Sequence, residues 1–172
     1  LPGVYLSSAC PAAVDLVRIH FPALTPLITP LTSPALAHAR WLRQHFGTSI
    51  KVVFIGPCVA KKKEADRHPD LLNAALTFDS LRTWLEDAGL LEALASLPER
   101  PFLPPRATCG ARYPLDGGML HSLRAHGLPA TVHGVCLSGC EAIAAGLPDL
   151  LACQPDRPVF VELLACAGGC IN

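Results

Sequence analysis

Charge is scarce in this sequence. Only 16% of its 172 residues are charged, and 14 lysines and arginines balance 14 aspartates and glutamates. Without a basic excess there is no electrostatic footprint for a nucleic-acid backbone, and a chain that is 51% hydrophobic is not disordered. Long apolar runs are missing as well. Proline, serine, threonine or a charged residue interrupts each one before membrane-spanning length, so no membrane partner is read. The opening Leu1-Pro2-Gly3-Val4-Tyr5 lacks the basic segment and small-residue cleavage site of a secretory leader, and the chain is expected in the cytoplasm. An initiator methionine is absent and the chain halts at Ile171-Asn172; both ends are expected to be cut from something longer. There is no nucleophile elbow, no phosphate-binding glycine loop and no carboxylate pair. The seven histidines form no pair at ligand spacing near a cysteine. Cys-x-x-Cys, the usual mark of structural zinc, does not occur.

What the chain does have is eight cysteines and seventeen prolines. The prolines imply many turns and short elements. Cysteines without an export signal read as metal ligands and buried thiols rather than disulfides. The most informative stretch is Cys166-Ala167-Gly168-Gly169-Cys170. Two thiols separated by two glycines suit a bulky sulfur-liganded group that needs close backbone approach.

The hydrophobic pattern predicts strands at Val4–Leu6, Lys51–Ile55, Ala75–Thr77, Thr131–Val135 and Val159–Val161. Helices are expected over Ala12–His20 behind Pro11, Ala35–Phe46, Ser80–Ala88 capped by Asp79, Gly118–His126 and Gly139–Ala145. Pro22–Pro34 reads as a proline-rich connection, 58–70 as a basic loop or short helix, and Leu97–Pro105 as a linker. Strands alternating with helices indicate an α/β fold with mostly parallel, buried sheets flanked by helices. Residues 1–98 are expected to form a first lobe region with Cys10 and Cys58, and 99–172 a second with Cys166 and Cys170. Cys10, Cys58 and Cys166 each follow a hydrophobic strand, where α/β folds place ligands. Cys10 also precedes Pro11 at a helix start, where the helix dipole favours negative charge. Thiolates select zinc, copper(I) or iron–sulfur clusters, and ligands from remote strands plus a Cys-x₃-Cys suit a four-iron cubane. Gly56 and Gly168-Gly169 would let backbone amides approach its inorganic sulfurs.

Three segments resemble, in the family's order, the signatures of the FeFe-hydrogenase catalytic domain. They are Ser8-Ala9-Cys10-Pro11, Gly56-Pro57-Cys58-Val59-Ala60-Lys61-Lys62-Lys63-Glu64, and Glu162-Leu163-Leu164-Ala165-Cys166-Ala167-Gly168-Gly169-Cys170-Ile171-Asn172. Ala75-Leu76-Thr77-Phe78 and Asp116-Gly117-Gly118-Met119 resemble two further family segments. The resemblance implies two α/β lobes with an H-cluster between them: a 4Fe–4S cubane joined through one cysteine to a diiron subcluster with carbon monoxide, cyanide and a dithiolate. By that resemblance Cys10, Cys58 and Cys166 hold the cubane and Cys170 bridges to the diiron unit. Lys61 matches a lysine that hydrogen-bonds a cyanide, Glu64 a family glutamate, and Ser33-Pro34 a loop facing the same region. Ferredoxin-like electron-transfer modules, maturation proteins and signalling domains of the same parent chain are the implied partners.

The departures are specific. Ala9 stands where the active family has a proton-relay cysteine, Gly56 and Leu164 where methionines pack the diiron unit, and Ala35 where a glutamine is usual. They resemble the divergent, sensory branch of the family. The expected function is therefore slow dihydrogen oxidation and proton reduction, or sensing of dihydrogen or redox state. Two other readings are a non-catalytic 4Fe–4S redox-sensing or scaffold module and a zinc-stabilised structural domain. Lys62 and Lys63 read as solvent-facing, Tyr113 as core, and Cys136 and Cys140 as packing residues. A second metal site with Cys109 or Cys153 is left open.

Overall fold

The computed structural model describes residues 3–94, 96–102, 107–152 and 155–171. The chain is α/β, every strand pair in it is parallel among the described residues, and helices flank the sheets. It divides into two compact units, Leu1–Pro34 with Thr108–Asn172, and Ala35–Ala107. No described helix is long and apolar enough to cross a membrane.

The first unit is built on a three-stranded sheet. Its strands are β1 (Val4–Leu6), β4 (His133–Ser138) and β5 (Val159–Leu164), in the order β1-β5-β4. These boundaries differ from a linear division at 98/99. The cause is pairing: β1 adds to β5 with Leu6 opposite Val161, which returns the N-terminal segment to the sheet whose strand β5 leads to Cys166. The odd positions Val159, Val161 and Leu163 bury against Val17 of α1 (Pro11–His20) and against Ile143 and Leu147 of α7 (Cys140–Ala152). Each such side chain contributes about 1.5–3 kcal/mol when fully buried.

That burial explains why α7 outruns the expected Gly139–Ala145. Pro148 inside the helix costs about 3 kcal/mol, yet the continuation brings Leu147 to complete burial. Gly146 allows the close approach, since a Cβ there would lie 2.8 Å from Leu137. β4 likewise ends later than expected, because six consecutive pairs from His133 opposite Val159 to Ser138 opposite Leu164 follow β5 to its end. A 3₁₀ turn occupies Pro22–Leu27 in the proline-rich connection, and another Cys109–Arg112.

The second unit carries α2 (Pro34–Phe46, whose first residue belongs to the first unit), β2 (Val53–Ile55), α3 (Ala60–Arg67), β3 (Ala74–Leu76), α4 (Phe78–Asp87) and a short α5 (Leu91–Leu94). β2 and β3 pair in parallel, but Val53 and Ile55 are exposed, so this sheet is not buried as a continuous apolar strand would suggest. Its core is small: Leu36, Ala39, Val52, Ala65, Leu72 and Ala75. Arg43 reinforces it, donating to the carbonyls of Leu71, Thr48 and Ile50 and to Asn73 Oδ1. Thr77, not Asp79, caps α4: its Oγ1 accepts from Ser80 N at 3.2 Å, while Asp79 already lies within the first turn. Cys153 and residues 103–105 of the expected linker fall outside the described residues.

Candidate functional site

Just beyond the carboxyl ends of its parallel strands the first unit presents several thiols and the second presents one, Cys58. In the first unit Ser7 N donates to Val161 O at 2.9 Å, extending the β1–β5 ladder, and the chain then turns into α1 at Cys10. Cys10 is buried and caps α1: its Sγ accepts from Ala13 N at 3.4 Å, and Pro11 takes the first helical position. Ser7 Oγ accepts from Ala9 N and donates to Met119 Sδ, which fixes the turn leading to the thiol.

Cys166 follows β5, next to β1 in the sheet, and is exposed; Cys170 is half-buried. Between them Gly168 and Gly169 take φ of 75° and 104°, in the left-handed region. Their amides, expected to be able to approach inorganic sulfur, have hydrogen-bond partners within the chain. Gly168 N donates to Ser138 Oγ at 2.9 Å and Gly169 N to Cys166 O at 3.1 Å. A Cβ on Gly169 would lie 2.2 Å from Pro114 O, so glycine is required by the segment packed against it. Gly56 has a similar cause: its amide donates to Leu76 O and a Cβ would meet the Phe54 ring at 2.8 Å.

The third strand of that sheet also delivers a thiol. Gly139 N donates to Leu164 O, and Cys140 at the start of α7 has its Sγ 3.4 Å from Ala165 O, one residue from Cys166. Cys140 is exposed rather than packed in the core. Cys136 lies within β4 beside Glu162; it too is exposed at the surface rather than packed in the core, with its Sγ 4.0 Å from Glu162 Oε2. Burial pushes the Cys136 thiol up to about 11, and the negative Glu162 and Asp116 add to the effect while Arg124 opposes it.

In the second unit Gly56-Pro57 carries the chain from β2 to the half-buried Cys58, whose carbonyl accepts from Lys61 N as α3 begins. Lys61 and Glu64 are both buried, and Lys61 Nζ stands 2.6 Å from Glu64 Oε2, an i,i+3 ion pair. Lys62 and Lys63 face solvent, as expected, with Lys62 Nζ near Ser80 Oγ. The structure therefore brings Lys61 and Glu64 together at the helix that follows Cys58.

Ser33 is buried and Pro34 exposed at the start of α2. Pro34 lines a cavity of about 160 Å³ together with Ser8, Ala9, Thr29, Tyr113 and Met119. Tyr113 is thus a cavity wall rather than core. Ser8 Oγ and Thr29 Oγ1 are 3.1 Å apart on the same wall, beside the Ala9 methyl.

One residue quoted above without a role is Glu162. It is 1% exposed in the central strand of the sheet, and its Oε2 accepts from Leu120 N at 2.8 Å. Its signal was a lone charge inside Val159-Phe160-Val161-Glu162-Leu163-Leu164, since unpaired carboxylates are almost never fully buried. Burial raises its pKa; the backbone N–H groups of Leu120, Met119 and Gly117 oppose that rise and Asp116 adds to it.

A family model described as the C-terminal domain of the iron-only hydrogenase large subunit matches residues 2–172. The chain belongs to this family. A search of curated proteins found no match. Family membership makes this a hydrogenase-like domain of the type that carries an iron–sulfur H-cluster. The donor chemistry fits such a group: soft thiols, no carboxylate among them, set at strand ends. Among the described residues, no three His, Cys, Asp or Glu side chains come together as a metal-holding group.

Proposed function

We propose that Cys10, Cys58 and Cys166 are thiolate ligands to a 4Fe–4S cubane and that Cys170 is shared between the cubane and a diiron subcluster. The observation that supports this is the placement of these thiols beyond the carboxyl ends of parallel strands: Cys10 after β1, Cys166 after the adjacent β5, and Cys58 after β2. When bound, such a group supplies iron-centred two-electron chemistry with dihydrogen and protons. The chain's own contribution is to hold it and to govern proton access. Cys10 brings its sulfur to a helix N-terminus, where the dipole favours a net-anionic ligand. Lys61 offers a hydrogen-bond donor to an anionic diatomic ligand, and Glu64, 2.6 Å from it, fixes the ammonium's position. Ser33 and Pro34 are the further residues we assign to binding the group.

Ala9 is where proton transfer is lost. Its methyl holds no exchangeable proton to pass on. The reading is accordingly slow turnover or sensing of dihydrogen or redox state, with electrons exchanged with ferredoxin-like modules and the group installed by maturation proteins. Signalling modules of a parent chain are the further partner class for the sensing role. We place the protein in the cytoplasm, a reducing compartment suited to a thiol-rich chain.

The test is infrared spectroscopy of the protein after maturation. Stretches of iron-bound carbonyl and cyanide are expected, and their absence in matured, folded protein overturns the reading. A 4Fe–4S spectrum without those stretches would instead support a plain redox-sensing or scaffold module. Replacing Ala9→Cys is expected to raise turnover by about 10²-fold or more, the range for a placed general acid–base. No change would show that proton transfer at this position does not limit the rate.

A further inference from the structure

We infer that Glu162 is a positioning residue for Cys170, acting through the N-terminus of the helix after Gly117 and the turn that precedes it. The functional consequence rests on the reading of Cys170 as a cluster ligand; the mechanical coupling does not.

The helix is α6 (Gly118–Ala125), and no side chain of its own first turn caps it. Gly117 enters it with φ of 72°, and the donor at Leu120 N is satisfied from across the unit by Glu162 Oε2 at 2.8 Å. A carboxylate there also meets the positive end of the helix dipole. The turn ahead of α6 is tightly folded: Gly118 N donates to Leu115 O, Leu115 N to Arg112 O, and a Cβ on Gly118 would strike Arg112 O at 1.8 Å.

That same turn holds the thiol loop. Cys170 N donates to Pro114 O at 2.7 Å, Asp116 N to Gly168 O at 3.4 Å, and Leu115 forms an antiparallel bridge with Gly169. The constraints close into a ring. From Glu162 the chain runs along β5 into Cys166–Cys170, crosses by backbone bonds to 114–116, enters α6, and returns through Leu120 N to the Glu162 carboxylate. Cutting the ring at Glu162 frees the α6 end of the turn against which Cys170 is registered. Glu162 Oε1 is buried without a hydrogen-bond partner among the described residues, so the hold rests on Oε2, which accepts from Leu120 N, and on packing.

The experiment measures iodoacetamide labelling of individual cysteines by mass spectrometry in the metal-free full chain under native conditions. Glu162→Leu is expected to raise the Cys170 rate about tenfold, the effect of losing one charge-assisted hydrogen bond, with Cys58 unchanged. Glu162→Gln keeps an acceptor for Leu120 N and is expected to restore the Cys170 rate to near the parent value. An unchanged Cys170 rate in folded Glu162→Leu overturns the proposal. So does a uniform rise at Cys10, Cys58 and Cys170, which marks general destabilisation. If Glu162→Leu does not fold, Glu162→Asp retracts the carboxylate by one methylene and must still raise Cys170 labelling selectively; no selective rise overturns it. Iron binding after reconstitution is read separately. Selective labelling changes in a chain that takes up no iron uphold the positioning and defeat the cluster reading, whereas iron uptake with unmoved labelling does the reverse.

Discussion

The two units present cysteines beyond parallel strands, yet they hold them by different means. In the first unit a core of Val, Leu and Ile side chains anchors β5, and the thiol loop is registered by backbone bonds to 114–116. The second unit has mainly small core residues, and near Cys58 it relies on a buried ion pair, with Arg43 bracing three carbonyls elsewhere. The contrast separates geometry from charge. A loop built from main-chain contacts is sensitive to the volume of a single atom, whereas a segment built on paired charges is sensitive to losing either partner.

The largest expected effect breaks the geometric side. Gly169→Ala meets both a φ of 104° and a backbone oxygen 2.2 Å from the new Cβ. Strain of that kind with an unyielding neighbour is expected to cost about 4 kcal/mol, read from urea unfolding. Gly47→Ala in the second unit is the control, with φ of 91° but nothing within 4 Å of its Cβ; it should cost only about 1–2 kcal/mol. Equal costs would mean that φ alone matters and that the Pro114 contact is soft.

Next comes the charge side. Glu64→Gln leaves the buried Lys61 ammonium without its carboxylate and is expected to cost about 3 kcal/mol, while the double variant Lys61→Met with Glu64→Leu should recover most of it. That pattern in a double-mutant cycle identifies a pair whose value is positional rather than stabilising. A cost below about 1 kcal/mol for the single variant would place the pair effectively in solvent.

The same contrast governs what was legible in the sequence. β1, α1 and the Cys10 cap were readable because Pro11 after a strand and the apolar spacing of Ala13 and Val17 are local signals. The return of β1 to β5, which joins residues 4–6 to 159–161, has no local signal and emerges only from pairing. The expected Gly139–Ala145 stops short of Ala152; Gly146 and Pro148 carry no local signal to continue a helix, while the burial of Leu147 that favours continuation is tertiary. The cysteine positions at the strand ends were legible from their motifs. The cause of the Gly169 requirement was not, since Pro114 lies 55 residues earlier in the chain. Glu162 was visible as an odd charge in an apolar strand, but its partner Leu120 N belongs to a helix that no spacing rule connects to it.

The smallest expected effect sharpens the comparison by asking whether charge matters inside the geometric unit. Glu162 has a raised pKa in the folded chain, burial being the main cause, so its contribution to stability is full below the ordinary carboxylate value of 4.5 and is lost as pH rises through the folded value. The parent should therefore lose urea stability over that window relative to Glu162→Gln, whose amide does not titrate. The groups facing it are Asp116, which shares its sign, and Cys136, 4.0 Å away on β4, which itself feels Arg124. Because the Glu162 charge is one of the causes holding the Cys136 thiol up at about 11, Glu162→Gln must also bring that thiol down, seen as an earlier rise of thiolate absorbance in alkaline titration. Burial is the larger cause and remains in the variant, so the shift should be partial and the thiol should stay above its ordinary value of 9.0. A full return to 9.0 would mean that Glu162 opens the site to water when changed, and an unmoved thiol that Glu162 is already neutral in the folded chain.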